Sequence, residues 1–388
     1  MTTKANRRII FFLTTISVLV TSVGLNCTPE APAEVLWFKT YDSGTNDAAH
    51  AIAADASGNV YVGGSSKNGT YYDFRTLKYD SEGTIIWDKA YDSSNNDEVL
   101  GLVVSSAGDV YVTGASVCLD SSVNCIRLIK YDASGNMVLN KELMSHAYAY
   151  DIASDASGNL YIAGRKVNAT SADIALIKTD ADGDILWSKI YDSGNNEQAH
   201  GVAVDDAGSV YVAGFTKPEG AGASSDFLTL KFDTNGNLQW NKTYDSGSDD
   251  GIYGHGVAVD LQGDVYVAGY TMVAAPAGEY AIVKYDSDGN VLWTKTNASD
   301  NTNPTASIAT NGSGSVYLLG THLSTDNYDF MIAKYDSKGI LVWDTLFDSG
   351  GNDYGYDICL GNDGSIYATG NTLNADAVSD FLTVKLKP

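Results

Sequence analysis

The chain has 388 residues, with 24 basic against 48 acidic side chains and a formal net charge of −24. A surface of that sign repels nucleic acid and anionic lipid headgroups, which excludes both as partners of a basic face. Length alone suggests two ordinary domains, but the residue pattern runs through both halves without a break.

At the N-terminus, Lys4, Arg7 and Arg8 precede an apolar run over residues 9–25, interrupted by Thr and Ser, and Cys27 follows. The run is shorter than the roughly 20 apolar residues of a membrane span and reads as an export signal. It resembles a bacterial lipoprotein signal, which is cut before a cysteine that then carries lipid. The resemblance implies lipidation of Cys27, a polar tether over residues 28–34, and a place in the bacterial cell envelope. Thr28 after the cysteine, rather than Asp, implies the outer membrane. The residues before Cys27 (Gly24, Leu25, Asn26) depart from the usual Leu-then-small pattern, so a plain secretory signal or an uncleaved anchor are the alternatives. Removing the leader leaves a net charge of about −27 on the rest of the chain.

From residue 35 onward a Val-Tyr-Val-x-Gly phrase recurs seven times. Its tyrosines are Tyr61, Tyr111, Tyr161, Tyr211, Tyr266, Tyr317 and Tyr367, spaced 50, 50, 50, 55, 51 and 50 residues apart. A fixed period of this length marks a repeat architecture. Each unit carries four β-type runs; in the first they cover residues 50–54, 59–62, 74–79 and 85–91. Asp/Asn/Ser/Gly turns such as Asp55-Ala56-Ser57-Gly58 separate them. No run has sustained helical periodicity beyond the leader. Four strands in each of seven units predict an all-β, seven-bladed propeller over residues 35–388.

All six tryptophans (Trp37, Trp87, Trp187, Trp240, Trp293, Trp343) fall at one repeat position in the fourth run, with Leu139 in the seventh slot. A large aromatic repeated this way reads as a packing anchor between blades. The last unit ends after its third run, residues 381–385, and the missing fourth lies at the start, residues 35–39. Pairing them would close the ring and leave no unfinished edge.

Cys118 and Cys125 bracket residues 119–124 in the second unit. In an exported protein they read as a disulfide. Cys359 stands where other units carry Ala or Val, and reads as a small buried residue.

The full unit, clearest from Asp329-Phe330 through Gly370, resembles the SBBP β-propeller repeat family of exported and surface proteins in bacteria. The third-run lysine of that family recurs at Lys78, Lys130, Lys178, Lys231, Lys284, Lys334 and Lys385. The resemblance implies a propeller at or beyond the cell surface and implies no reaction. A fainter likeness to quinoprotein-type propellers is set aside, because this chain has seven units rather than eight and no adjacent cysteines.

Two residue sets could carry chemistry. One is a recurrent acid after the Tyr-Asp-Ser-Gly loop: Asp47, Asp97, Glu197, Asp250 and Asp353. Such carboxylates could hold Ca²⁺, but an acid needed in every blade reads first as a turn former. The Asp180–Asp184 stretch looks like part of a calcium loop and coincides with a repeat turn, so it too reads as a turn. The other set is the first-run slot holding His50, Leu100, Tyr150, His200, His255, Ala306 and Tyr356, where His200 and His255 fall in adjacent units. Together His200, His255, Tyr150, Tyr356, Asp250 and Asp353 form the candidate ligand site at a channel mouth.

No HExxH, nucleophile elbow, P-loop or paired-carboxylate signature is present. Irregular segments at residues 143–148, 217–224 and 272–276 break the repeat where scaffolds carry function. The leading expectation is a monomeric, non-enzymatic envelope lipoprotein without cofactor or dedicated metal. It would bind a protein or glycan through its variable loop face. The alternative is a hydrolase or lyase with its site at the channel mouth.

Overall fold

Strands of seven to nine residues with one or two apolar faces cannot stand alone, so the repeats must stack. The computed structural model describes residues 30–388 apart from 120–121, 170, 221, 253, 275–276, 300–305, 326 and 375–376. Residues 31–388 form one compact unit of seven antiparallel sheets, with no helix among the described residues. Blade 1 runs Asp47–Ala54, Val60–Asn68, Tyr71–Tyr79 and Ile85–Tyr91. Blades 2 to 6 repeat this order. Blade 5 departs from it: its first strand is broken into Asp250–Gly251 and Val257–Val259.

Burial follows strand position. The second strand of blade 1 is buried at every residue from Val60 to Ser66, because neighbouring blades cover both faces. The fourth strand alternates exposed and covered, as in Ile85–Tyr91, because it packs by one face at the rim. Each blade's apolar cluster spans the gap to the next. Tyr61, Phe74 and Trp87 of blade 1, for example, pack with Val99, Val110 and Tyr131 of blade 2.

The ring closes as the sequence implies. Blade 7 consists of Asn352–Leu360, Ile366–Leu373 and Ser379–Lys387 with Glu34–Tyr41 as its outer strand. The pairing runs antiparallel from Glu34↔Lys387 to Tyr41↔Phe381.

The repeated Trp and Lys act as one clamp. In every blade the third-strand lysine places its Nζ over the Tyr of the Val-Tyr-Val phrase, 4.8–5.6 Å from the ring centre, a cation–π contact. At four junctions the lysine and the tryptophan donate to one carbonyl in the next blade's turn. Lys284 Nζ (3.4 Å) and Trp293 Nε1 (3.1 Å) both reach Ser337 O. Lys385 (3.4 Å) and Trp37 (3.0 Å) reach Ser81 O across the closure. Two of the three exceptions have evident causes. In blade 2, where Leu139 replaces Trp, Tyr111 Oη donates to the turn carbonyl of Ala181 instead (3.1 Å). Trp343 Nε1 is buried without a partner; in blade 7 the paired Glu34 and Lys387 stand where other blades have the corresponding turn.

The recurring glycine after Val-Tyr-Val has a steric reason. A Cβ on Gly114 or Gly164 would lie 1.8 Å from a carbonyl oxygen of the first strand, Glu98 O or Tyr148 O. That strand approaches so closely because it bulges there. One extra residue is inserted at His50, Leu100, Tyr150, His200 and Tyr356, where the pairing register shifts.

Candidate functional site in the channel

A β-bulge turns its extra residue away from the alternation of the strand. Here the bulge, present in five blades, aims one side chain of each at the channel. His50, Leu100, Tyr150, His200, Gly254, His255 and Tyr356 line one small cavity of about 50 Å³. The fold therefore brings together four of the six candidate site residues. His255 reaches the cavity differently, from the break in the first strand of blade 5. Asp250 and Asp353 do not line the cavity. Asp353 precedes Tyr356 by three residues and Asp250 precedes His255 by five, which in extended chain is ~10 Å or more. Both instead close their own loops: Ser246 N and Oγ donate to Asp250 at 2.7 Å, and Ser349 N and Oγ to Asp353 at 2.6 Å. Asp47 and Asp97 do the same with Ser43 and Ser93. The Asp180 segment is likewise a turn, with Asp182 N and Asp184 N donating to Asp180 Oδ1.

His255 spans the channel. Its Nε2 sits 2.9 Å from Leu100 O in blade 2. Its Nδ1 lies 3.0 Å from Asp151 Oδ1 in blade 3 and 3.8 Å from Asp357 Oδ2 in blade 7. Burial opposes its charge, but the Asp357 and Asp151 carboxylates and the Leu100 carbonyl outweigh burial and raise its pKa to about 10. It is an imidazolium at neutral pH.

The carboxylates are stitched into neighbouring blades. Asp151 Oδ2 accepts from Val202 N of blade 4 (2.8 Å). Asp357 accepts from Ile52 N of blade 1 and Ser307 Oγ of blade 6, both at 2.8 Å.

The other two imidazoles are neutral. Burial, then the charge of His255 and of Arg165, lowers His200 to about 3. Burial also lowers His50, with Glu98 opposing and His255 adding to the shift. Tyr150 stacks on His200 at 4.4 Å between ring centres, and Tyr356 meets His50 edge-on at 5.3 Å. Larger hollows of about 410 and 340 Å³ lie between blades 4 and 5 and blades 2 and 3. Repeat-turn residues such as Asp205, Asp260, Asp109 and Asp155 line them.

Asp151 and Asp357 escaped the sequence reading. Their signal was available, because the residue after the channel slot is Ala51, Gly101, Gly201, Gly256 or Ser307 elsewhere and acidic only in these two blades.

The expected disulfide is not closed. Cys118 and Cys125 are free, buried thiols whose sulfurs lie within 4.8 Å of each other and of a Glu142 carboxylate oxygen. The hairpin brings the pair together, and burial followed by the neighbouring Cys118 pushes the Cys125 thiol up. Cys359 is free as well, and burial raises its pKa. Cys27 and the rest of the leader lie outside the described residues.

Seven four-stranded sheets ringed about a plugged channel define a seven-bladed β-propeller. Residues 243–273 match the SBBP beta-propeller repeat family. The other six units carry the same residue pattern. No curated protein matches the sequence. Among solved structures, Kuenenia stuttgartiensis hydrazine synthase aligns with a TM-score of 0.59 at 13% identity, over 88% of this chain and 98% of that one. The Neurospora crassa Pan2 WD40 domain aligns at 0.57 and 8%, over 90% and 95%. A polysaccharide lyase family 25 ulvan lyase aligns at 0.56 and 8%, over 88% and 95%. At these identities the likeness shows the fold alone.

Proposed function

We propose that the protein is a non-enzymatic binding scaffold of the bacterial envelope, held at the outer membrane by lipid on Cys27, that engages a protein or glycan through its variable loops. The observation that carries this reading is the commitment of His255. Both of its ring nitrogens are bonded inside the channel, to Leu100 O and Asp151. The space that remains, about 50 Å³, is far below the ~300 Å³ of a small-ligand pocket. Substitutions on the loop face, by contrast, are free of the repeat's packing rules. Residues 217–224 extend the connection in blade 4, and Met272 in blade 5 is exposed.

A second reading, a polysaccharide hydrolase or lyase, draws support from neutral His200 stacked on Tyr150, a base beside a phenol. The two readings separate on one panel of acidic and neutral polysaccharides. Binding is measured by glycan array, and turnover by reducing ends and by absorbance of unsaturated uronates. Binding without turnover, weakened by replacing residues 217–224 with a short Gly-Ser turn and unaffected by His200→Gln, fits the scaffold. Turnover abolished by His200→Gln would establish the enzyme. For the anchor, Cys27→Ser should move the protein from the detergent phase to the aqueous phase; a variant that still partitions with membranes removes the lipid from the account.

A further inference from the structure

The fold gathers a third carboxylate that the sequence does not place beside the loop acids. Asp380, at the start of the third strand of blade 7, comes within 4.8 Å, oxygen to oxygen, of Asp42 and Asp47 in the loop leading to blade 1. The blade 3–4 junction repeats the arrangement with Asp173, Asp192 and Glu197. Equivalent positions meet again as Asp73, Asp92 and Asp97, and as Asp226, Asp245 and Asp250. In the first two triads two acids are buried and the third is exposed, which leaves one side open to water.

Turn formation engages Asp47, Asp97 and Asp250 but does not account for Glu197, Asp380 or Asp329. Glu197 is fully buried; its Oε1 takes the Ser193 and Thr216 hydroxyls, while Oε2 has no partner. Asp380 is 8% exposed and keeps Oδ1 buried and unpartnered. Asp329, its counterpart in blade 6, is 4% exposed with Oδ1 in the same state. A buried carboxylate oxygen without a donor is costly, and more so beside two further carboxylates. A lysine or arginine would cure this in a structural cluster, yet among the described residues no ion pair joins one to any of these acids.

We propose that the blade junctions form a ring of divalent-cation sites, at least four per chain, each holding Ca²⁺ between two buried or half-buried carboxylates and one exposed carboxylate. All the donors are hard oxygens, which select Ca²⁺ over softer-ligand metals. The open side lets water complete the six to eight oxygens Ca²⁺ takes, and the unequal reach of the three acids suits its irregular shell better than the strict octahedron of Mg²⁺. The crowding shows in the acids themselves. Burial, then the charges of Asp42 and Asp47, raises Asp380 to about 6. Burial and like-charged neighbours also raise Asp73 and Asp226. The blade 2–3 junction lacks the site altogether: Cys125 stands at the third-strand position and Ala147 at the loop position. This inference does not depend on what the loop face binds.

The test uses the exported chain after exhaustive EDTA treatment. Bound Ca²⁺ is counted by equilibrium dialysis with atomic emission, and melting is followed in Ca²⁺, in Mg²⁺ and in NaCl of matched ionic strength. At least four ions should bind, and Ca²⁺ should raise the melting temperature several-fold more than either control. Asp42→Asn, at an exposed position, should fold normally and bind one ion fewer. Asp380→Asn should melt no lower than wild type in EDTA, because it relieves repulsion, yet lower than wild type in Ca²⁺. Equal shifts in the three salts, fewer than one ion bound, or an unchanged count in Asp42→Asn would overturn the proposal. So would an Asp380→Asn that loses stability equally with and without Ca²⁺, which is the signature of a turn former.

Discussion

Replacing His255 with alanine removes a buried cation from the channel and leaves Asp151 and Asp357 facing each other across it. Their Nδ1 distances of 3.0 and 3.8 Å make both direct partners, and both carboxylates are at least 90% buried. Removing one partner of such a buried cluster costs about 3–5 kcal/mol. Unfolding entropy near ~2.1 cal/mol/K per residue, taken over residues 31–388, gives about 0.75 kcal/mol per degree. The expected loss is therefore about 4–7 °C in melting temperature.

The pH dependence carries a sign. The folded pKa of about 10 lies above the ordinary 6.5, so the stabilisation is complete below pH 6.5 and is lost as pH rises towards 10. The gap between wild type and His255→Ala should be widest near pH 6 and should narrow steadily above it. Scanning calorimetry of both proteins from pH 6 to 10 reads this directly. A gap under about 1 °C at pH 6, or one that widens towards pH 10, would refute the account of His255 as a charged staple.

The remaining expectations concern acid, closure and thiols. His200 is neutral when folded with its pKa lowered to about 3, so its contribution is present above pH 6.5 and is lost as pH falls from there; His200→Phe should flatten the decline in melting temperature between pH 6.5 and 4. Deleting Glu34–Tyr41 removes Trp37 from between Tyr79 and Tyr367 and opens the ring at Ser379–Lys387. Calorimetry and size-exclusion chromatography should show a drop of at least about 5 °C and concentration-dependent aggregation through the bare edge, and a monomer of unchanged stability would contradict the closure. The buried thiols Cys118 and Cys125 should react with a disulfide reagent at least ~100-fold more slowly in native than in denatured protein. Mild oxidation should join Cys118 to Cys125 specifically, as read by peptide mass.

Much of the architecture was legible because it is written seven times. The second strands had to be buried on both faces, since Val60, Tyr61 and Val62 are all apolar in succession. Trp37 had to meet the final strand, since nothing else could complete that blade. Turns such as Asp55–Asn59 were readable from local chemistry, and Asp55 Oδ1 does accept from Ser57 N and Asn59 N. The channel slot was readable as a slot, because three histidines and two tyrosines share it. Its inward aim was not, because that depends on the bulge that brings the first strand against the repeat glycine.

The sequence by itself determined the blade count, the strand order, the closure and the common register of Trp, Lys and Gly, all of which follow from short-range periodicity. Only the tertiary structure decided which side chains of different blades meet. His255 lies 155 residues from Leu100, and Asp380 lies more than 330 residues from Asp42 and Asp47. Contacts around a ring depend on the curvature accumulated over every blade between the partners, and no local pattern records that sum. The same holds for charge. Each loop acid satisfies its own turn in sequence, and its crowding with a third carboxylate arises only where two blades are packed side by side.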